Sequence, residues 1–318
     1  MIKIDLITGF LGSGKTTFIK RYVSYLKSLG QRICILENDF GAVNVDMLLL
    51  QDVMGEQCEL EMVAGGCDAD CHKRRFKTKL ISMGMRGFDR VLIEPSGIFD
   101  VDEFYDSLRE EPLDCWYEIG NVITIVDAAL REELTEESEY LLASQLAGAG
   151  QVLLSKVQEA TEEEEQRTIA HMNRVLERFG CKRRFAKEEL LIRDWDALTD
   201  EDFQRIMNSG YRSENLQKLW FDQQDAFRSL YYMHVNMPEE KLRELTGKLL
   251  GDASYGNIIR IKGFMADEKG GWLELNATKE QFSLAPVEKG QEVLIVIGEQ
   301  LNEAVINACF DPYITERM

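Results

Sequence analysis

The stretch that decides the fold is Gly9-Phe10-Leu11-Gly12-Ser13-Gly14-Lys15-Thr16. It follows a short β-branched run, Ile2–Thr8, and opens a segment with helical periodicity over Lys15–Leu29. Glycines in such a turn let backbone N–H groups point inward around an anion, and the start of the helix adds its dipole. The pattern G-x-x-x-x-G-K-[ST] between a strand and a helix therefore predicts a phosphate-binding loop.

The residue types of this loop have separate expected roles. We expect Lys15 to reach the β- and γ-phosphates of a nucleotide and Thr16 to ligate Mg²⁺. A chance glycine-rich turn is the alternative, and the strand–loop–helix context disfavours it. The predicted nucleotide-binding residues of the loop are Gly9, Gly12, Ser13, Gly14, Lys15, Thr16 and Thr17.

The first two thirds of the chain alternate strand-like and helical segments. Further strands are predicted at Gln31–Glu37, Arg90–Ile93, Asn121–Val126 and Gln151–Leu154. Helices are predicted between them, at about 130–146 and 162–179. Strands separated by helices imply right-handed crossovers, so the sequence predicts an α/β domain with a mostly parallel sheet covered on both faces.

The order of elements changes beyond about residue 184. From Ser229 onward we expect a strand at Leu230–Val235, a helix at Glu239–Leu250, several strands and a final helix near 300–308. That order is typical of an α+β domain. The predicted organisation is a P-loop nucleoside triphosphatase domain at 1–210 and a smaller α+β domain at 226–318.

Composition excludes several classes of partner. The formal charge is −19 over 318 residues, so a nucleic-acid or anionic-membrane surface is not expected. No segment approaches the roughly 18 apolar residues of a membrane span, and the N-terminus runs straight into the glycine loop rather than forming a signal peptide. Seven cysteines without a regular framework indicate a reducing compartment, so a cytoplasmic location is expected.

A second candidate site segment is Arg90–Gly97, with the sequence RVLIEPSG. Glu94 would close a buried strand beside the phosphate loop, where a carboxylate could organise the Mg²⁺ shell or the attacking water. Gly97 could donate its N–H toward a γ-phosphate. An ordinary strand-end carboxylate before a turn is the alternative, which the phosphate loop makes less attractive.

The segment Glu37-Asn38-Asp39-Phe40-Gly41 follows the second predicted strand. Two carboxylates and an amide at the carboxyl end of a strand suit a switch that senses Mg²⁺ and the γ-phosphate. We therefore include Glu37 and Asp39 among the candidate Mg²⁺ ligands, with a plain turn as an equally weighted alternative.

The segment Gly65–His72 combines Cys67 and Cys71 with an imidazole and two carboxylates. Thiolates and imidazole suit Zn²⁺ or another transition metal, so Cys67, Cys71 and His72 are candidate ligands. With two thiols and one imidazole adjacent, an open site would suit a metal that must leave again. Two reduced cysteines in a loop are the alternative.

Taken in order, these four motifs resemble the CobW-like metallochaperone GTPases, which are related to UreG and HypB. Asn257–Gly263 (NIIRIKG) is similar to a segment of that family's C-terminal domain, so the resemblance covers nearly the whole chain. It implies GTP hydrolysis coupled to metal delivery or to the maturation of a metal- or corrinoid-dependent enzyme. The implied cofactors are Mg²⁺ and GTP, with a client metalloenzyme as partner and a second copy of the chain as one candidate for completing the site.

Two departures from the family pattern affect these expectations. The usual C-x-C-C becomes Cys67-x-x-x-Cys71, one thiol short. Where relatives carry N-K-x-D, this chain has Ser155-Lys156-Val157-Gln158. Lys156 is retained as a base contact, but the Gln158 amide cannot accept two N–H groups from guanine with one oxygen, whereas it matches the edge of adenine. The sequence therefore predicts weakened guanine selectivity and ATP as an alternative substrate.

Two other functional classes stay open at this point. One is a small-molecule P-loop kinase, although no Arg-rich lid segment is visible. The other is a scaffold or regulator that binds nucleotide without turnover, which the missing thiol and the altered base motif favour. Free phosphate, a phosphorylated metabolite or no product would distinguish the three classes.

Overall fold

The computed structural model describes residues 1–39, 45–65, 69–219, 221, 226–267, 270–314 and 316–317. The chain divides into two compact units, Met1–Trp220 and Phe221–Met318. The strands of the first unit are β1 (Ile2–Thr8), β2 (Ile33–Asp39), β3 (Cys58–Ala64), β4 (Arg90–Pro95), β5 (Tyr117–Asp127), β6 (Gln151–Ser155) and β7 (Leu191–Ile192). Its helices are α1 (Lys15–Ser28), α2 (Asp46–Leu49), α3 (Ala69–Gly84), α4 (Val101–Leu108), α5 (Leu113–Trp116), α6 (Glu136–Gly148), α7 (Glu162–Arg178) and α8 (Asp200–Met207).

The seven strands of the first unit form one sheet in the order β3-β2-β4-β1-β5-β6-β7. Every neighbouring pair is parallel. The carboxyl ends of all strands therefore meet at one edge, and the loops after β1, β4 and β6 gather there. The predicted α/β fold with a parallel sheet is confirmed, and this edge is where a ligand site is expected.

The sheet is buried on both faces, and β2 shows how its side chains divide. Ile33 and Ile35 pack in the cluster that contains the α1 residues Phe18 and Tyr22. Cys34 and Leu36 pack in the opposite cluster, with Phe76 and Leu80 of α3 among others. Successive side chains of a strand point to opposite faces. The described odd-numbered residues of β2 therefore face α1, and the even-numbered residues face α3.

Some elements differ from the expected ones. The helix expected from about residue 130 begins only at Glu136, because the Thr135 side chain accepts the N–H of Ser138 and caps the first turn there. Strand β3 was absent from the sequence-based elements. It lies at the sheet edge, and its acidic residues Glu59 and Glu61 pair with Arg86. The alternation of Glu59 and Glu61 with Cys58 and Leu60 is the pattern of a half-buried strand, which the sequence analysis overlooked.

The strands of the second unit are β8 (Phe227–Met233), β9 (Asn257–Ala266), β10 (Trp272–Ala277), β11 (Phe282–Val287), β12 (Val293–Glu299) and β13 (Glu316–Arg317). They form a six-stranded sheet in the order β11-β10-β9-β12-β8-β13, in which neighbouring strands are antiparallel. Its helices among the described residues are α9 (Glu239–Gly251) and α10 (Glu303–Phe310). Apolar residues of both helices pack on the sheet in one core, so the predicted smaller α+β domain is confirmed. Within the described ranges, none of the helices combines the length and apolar character needed to cross a membrane.

Candidate nucleotide-binding site

The backbone of the loop between β1 and α1 depends on its glycines. Gly9, Gly12 and Gly14 have φ values of 150°, 78° and 90°, which residues with a Cβ rarely adopt. A Cβ on Gly9 would also collide with the Ile125 carbonyl oxygen of β5. The loop therefore needs glycine both for its conformation and for its close approach to the sheet.

Lys15 lies over its own loop. Its Nζ donates a hydrogen bond to the Gly9 carbonyl oxygen at 3.0 Å, and the residue is 8% exposed. The ammonium is thus held at the first residue of the anion-binding loop. Gly14 caps α1 without a side-chain hydrogen bond, so the first N–H groups of this helix face the same space.

Thr16 joins this loop to the end of β4. Its hydroxyl donates to Glu94 Oε1 at 2.8 Å, and Glu94 is itself buried. Burial raises the pKa of the Glu94 carboxyl to about 7, because desolvation outweighs the attraction of Lys15, and Asp46 adds repulsion. The fold thus brings together two residues of separate motifs that lie 78 positions apart in the sequence.

The raised pKa of Glu94 predicts a pH-dependent stability of the nucleotide-free, Mg²⁺-free protein. A folded-state pKa of about 7 exceeds the ordinary 4.5, so the stabilising contribution is present below the ordinary value and is lost as pH rises toward 7. Urea unfolding should show wild type losing about 2 kcal/mol between roughly pH 5.5 and 8, relative to Glu94→Gln. Parallel pH profiles for the two proteins would contradict this assignment.

Gly97 lies against the phosphate loop. A Cβ at this position would be 2.7 Å from the Leu11 backbone nitrogen, so only glycine allows the approach. Its carbonyl oxygen accepts a hydrogen bond from Gln145 Nε2 of α6 at 3.2 Å. The loop after β4 is therefore fixed from one side by α6 and from the other by the phosphate loop.

Several buried polar atoms around this loop have no hydrogen-bond partner among the described residues. They are Thr8 Oγ1, Ser13 Oγ, Glu94 Oε2 and Gln145 Oε1. Buried polar atoms are normally paired in folded proteins. Their concentration at one loop indicates a polar ligand that would supply the missing partners.

Of the two candidate carboxylates in the second strand, the structure describes the side chain of Glu37. Glu37 is buried and lies opposite Glu94 in the pairing of β2 with β4. Asp39 closes β2 opposite Ala64, and its side chain lies outside the described residues, as do Phe40 and Gly41. Among the described side chains, Glu37 is thus the carboxylate of β2 that lies next to Glu94.

The predicted base-contact residues follow β6 at the same sheet edge. Lys156 has φ 54°, and its Nζ donates to Asp127 Oδ2 at 2.6 Å. Asp127 closes β5 and also accepts the N–H of Ala129 at 3.0 Å. Gln158 is exposed. The sequence analysis missed Asp127, the partner of Lys156, although its place at the end of the run NVITIVD was a usable signal.

Trp195 is a second residue that the sequence analysis missed. Its indole Cη2 is 3.0 Å from the position that a Cβ on Gly14 would take, and the ring packs edge-on against Phe18. The side chain of Asp194 caps the turn that carries Trp195, and the neighbouring Asp196 pairs with Arg21 of α1. The tertiary fold thus places an aromatic ring beside the last glycine of the phosphate loop, although the two are far apart in the sequence.

The cysteine segment is described in part. Cys67 lies outside the described residues, whereas Cys71 is half-buried near the start of α3. The His72 ring nitrogens face two oxygen atoms, the Gly65 carbonyl at 3.1 Å and Asn38 Oδ1 at 2.8 Å. No group of three or more His, Cys, Asp or Glu side chains within the described ranges has the geometry of a metal site.

Comparison with curated proteins finds similar chains among metal-handling proteins. The chain is 32% identical over 167 residues to "Zinc chaperone YeiR" of Escherichia coli (strain K12), which is 52% of this chain and 50% of that protein. It is 30% identical over 171 residues to "Zinc chaperone YjiA" of the same organism, covering 51% and 52%. The chain thus spans about half the length of the curated relatives it matches.

A search of solved structures matches a Zn(II)-bound YjiA GTPase from E. coli, at 18% identity, 99% coverage of both chains and a TM-score of 0.35. Another is the hydrogenase maturation factor HypB from Archaeoglobus fulgidus, at 16% identity, 64% and 86% coverage and a TM-score of 0.40.

Two family models match the sequence, and one of them covers more than half of it. Residues 3–186 match the CobW/HypB/UreG nucleotide-binding domain, and residues 231–312 match the cobalamin synthesis protein cobW C-terminal domain. With the phosphate loop, Glu94 and Gly97 all inside the first match, the chain belongs to the CobW/HypB/UreG family.

Proposed function

We propose that this protein is a P-loop nucleoside triphosphatase of the GTPase type that couples hydrolysis to metal delivery, or to the maturation of a metal- or corrinoid-dependent enzyme. The observation that carries the proposal is the convergence of Lys15, Thr16 and Glu94 at one glycine loop, through the bonds to Gly9 at 3.0 Å and to Glu94 at 2.8 Å. Membership in the family and the names of the relatives support the same function.

The donor set beside the loop fits Mg²⁺. Hydroxyl and carboxylate oxygens are the ligands that Mg²⁺ prefers, and Glu94 keeps a buried oxygen without a partner among the described residues. We assign Thr16 as a direct ligand and Glu94 and Glu37 to its surroundings, with Asp39 as a candidate from the sequence. When bound, Mg²⁺ supplies charge neutralisation at the phosphates.

The residues of the chain then act mainly by positioning. Lys15 and the loop N–H groups hold the phosphate charge, and Gly97 presents its N–H at a loop fixed against Leu11. Glu94 orients the attacking water or the metal shell. We propose Lys15, Glu94 and Gly97 as the catalytic set and Gly9, Gly12, Ser13, Gly14, Lys15, Thr16, Thr17, Lys156 and Gln158 as the nucleotide-binding set.

The cargo is the second part of the proposal. Relatives are named zinc chaperones, and thiolates suit Zn²⁺, so we propose Zn²⁺ or another transition metal as cargo, with Cys67 and Cys71 as ligands. His72 receives a different role below. The nucleotide-binding domain would occupy 1–210, and the domain at 226–318 would face the client metalloenzyme. A reducing, cytoplasmic setting fits the six described cysteines, none of which forms a disulfide.

The first experiment measures Mg²⁺-dependent phosphate release from GTP and from ATP, each with and without Zn²⁺. Free phosphate is expected from at least one nucleotide, and Zn²⁺ is expected to change the rate. A labelled small-molecule product in place of free phosphate would support a kinase. Nucleotide binding without any product, even with a client present, would support a scaffold.

The identity of the base is a finer proposal. Gln158 stands in the loop after β6, beside Lys156, where relatives with N-K-x-D carry a carboxylate. One amide oxygen cannot accept both N–H groups of guanine, whereas an amide can donate to and accept from adenine. We therefore propose that this chain discriminates weakly between GTP and ATP.

The matching prediction concerns Gln158→Asp. Wild type should bind Mg·GTP and Mg·ATP with affinities within about tenfold of each other, and Gln158→Asp should shift the preference toward GTP by about 100-fold. Calorimetric titration of both nucleotides measures this ratio. Gln158→Ala is the control, because it removes the amide without supplying a carboxylate and should leave the ratio low. A wild-type preference for GTP above about 100-fold would refute the idea.

A further inference from the structure

The buried histidine of α3 belongs to the packed face of that helix. His72 is 3% exposed. It precedes Phe76 by four positions and Leu80 by eight, so all three lie along one face of the helix. Phe76 and Leu80 pack in the core cluster beneath the sheet. Burying a polar imidazole at a core position costs free energy unless its ring nitrogens form hydrogen bonds.

The two ring nitrogens of His72 contact two different segments of the chain. His72 Nδ1 lies 3.1 Å from the Gly65 carbonyl oxygen, which can only accept, so Nδ1 donates. Nε2 lies 2.8 Å from Asn38 Oδ1 at the end of β2. Nε2 donates to this oxygen when the ring carries both protons, and it accepts from Nδ2 when the ring is neutral and the amide is rotated. One buried ring therefore connects the first residue of the cysteine segment with the strand that carries Glu37.

The alternation along β2 places Asn38 and Glu37 on opposite faces of the sheet. Residues 33 and 35 face α1 and residues 34 and 36 face α3, so Glu37 belongs to the phosphate-loop side and Asn38 to the α3 side. A displacement of this strand end by a ligand at Glu37 would move Asn38 with it. The motion would reach His72 through a hydrogen bond rather than through loose packing.

The same strand end is tied to the loop that contacts the nucleotide site. The Asn38 carbonyl oxygen accepts the N–H of Ser96 at 2.9 Å. Ser96 precedes Gly97, whose Cα approaches Leu11 so closely that a Cβ would meet the Leu11 nitrogen at 2.7 Å. A continuous set of contacts thus runs from the phosphate loop through residues 97, 96 and 38 to His72.

We propose that His72 is a positioning residue that couples the nucleotide state at the phosphate loop to the conformation of the start of α3, which carries Cys71. The proposal rests on the proposed function, since it supplies the link between nucleotide and metal segment. In this proposal the imidazole transmits a displacement of the strand end to α3 and does not bind a metal, because both ring nitrogens contact Gly65 and Asn38.

The test uses the alkylation rate of Cys71 in the full chain as the reporter. Iodoacetamide modification of each cysteine is followed by peptide mass spectrometry, with and without Mg²⁺ and a non-hydrolysable GTP or ATP analogue. The analogue should change the wild-type Cys71 rate by at least about fivefold, the low end of ordinary coupling between sites. Cys115, which is exposed, is the internal reference and should not respond.

His72→Leu should reduce the Cys71 response to less than about twofold, while its affinity for the analogue stays within about threefold of wild type. Asn38→Ala removes the same contact from the other side and should have the same effect, which covers the case in which His72→Leu does not fold. His171→Leu is the matched control. It removes another buried histidine, 1% exposed on α7, and should keep the full response.

The outcomes separate this inference from the proposed function. An unchanged response in both His72→Leu and Asn38→Ala overturns the coupling role. A wild type that hydrolyses nucleotide but shows no Cys71 response also overturns it and leaves the hydrolase intact. A wild type that binds neither analogue overturns the proposed function and this inference together. Loss of the response in both variants, with His171→Leu normal, supports the role.

Discussion

Lys15→Ala is expected to lower the rate of phosphate release from the preferred nucleoside triphosphate by about 10²–10³-fold. The ammonium is held over its own loop by the Gly9 carbonyl and is nearly buried, so it meets the phosphates with little reorganisation. Removing one preorganised charge partner from such a site typically costs that factor. The measurement is single-turnover phosphate release at saturating Mg²⁺ and nucleotide.

The matched control for this prediction is Lys20→Ala on the same helix. Lys20 pairs with Asp52 at 2.9 Å on the surface, so its substitution should leave the rate unchanged. Lys15→Arg adds a second comparison, because it keeps the positive charge but replaces the compact ammonium with a planar guanidinium group. Retention of the wild-type rate by Lys15→Ala would remove this lysine from the catalytic set.

Asp5→Ala is expected to lower the free energy of unfolding by about 3–5 kcal/mol. Asp5 is fully buried in β1, and its Oδ2 lies 2.5 Å from Arg90 Nη1. The same carboxylate accepts hydrogen bonds from the Tyr22 hydroxyl at 3.0 Å and from the Asn121 backbone at 2.9 Å. Alanine would leave the buried guanidinium of Arg90 without this partner, and that residual charge causes most of the cost.

Asp52→Ala is the control for the buried pair, since it removes an aspartate from the exposed pair with Lys20 in the same unit. Exposed pairs contribute about 0–1 kcal/mol, so the contrast between the two variants should be several-fold. Urea midpoints followed by circular dichroism measure both. A loss below about 1 kcal/mol for Asp5→Ala would mean that water or another group compensates Arg90.

Local patterns predicted most of the first unit. The phosphate loop, the alternation of strands and helices and the acid at the end of β4 are short-range features, because glycine conformations and hydrophobic periodicity are properties of a few neighbouring residues. The same patterns pointed to the order of elements in the second unit. They missed β3, because an edge strand whose acids pair with Arg86 lacks the apolar run of a buried strand.

The site itself depended on contacts that sequence spacing does not encode. The hydrogen bond between Thr16 and Glu94, the pairing of Lys156 with Asp127 and the approach of Trp195 to Gly14 join residues far apart in the chain. Each arises because a parallel sheet brings the carboxyl ends of its strands to one edge.

From the sequence alone, this protein is determined to have a phosphate-binding P-loop in an α/β domain with a smaller α+β domain after it. Only the tertiary structure decided that Glu94 is buried against Thr16 and that His72 joins Asn38 to Gly65. The physical reason is that periodicity and turn chemistry are local, whereas burial and hydrogen-bond partners depend on which strands become neighbours.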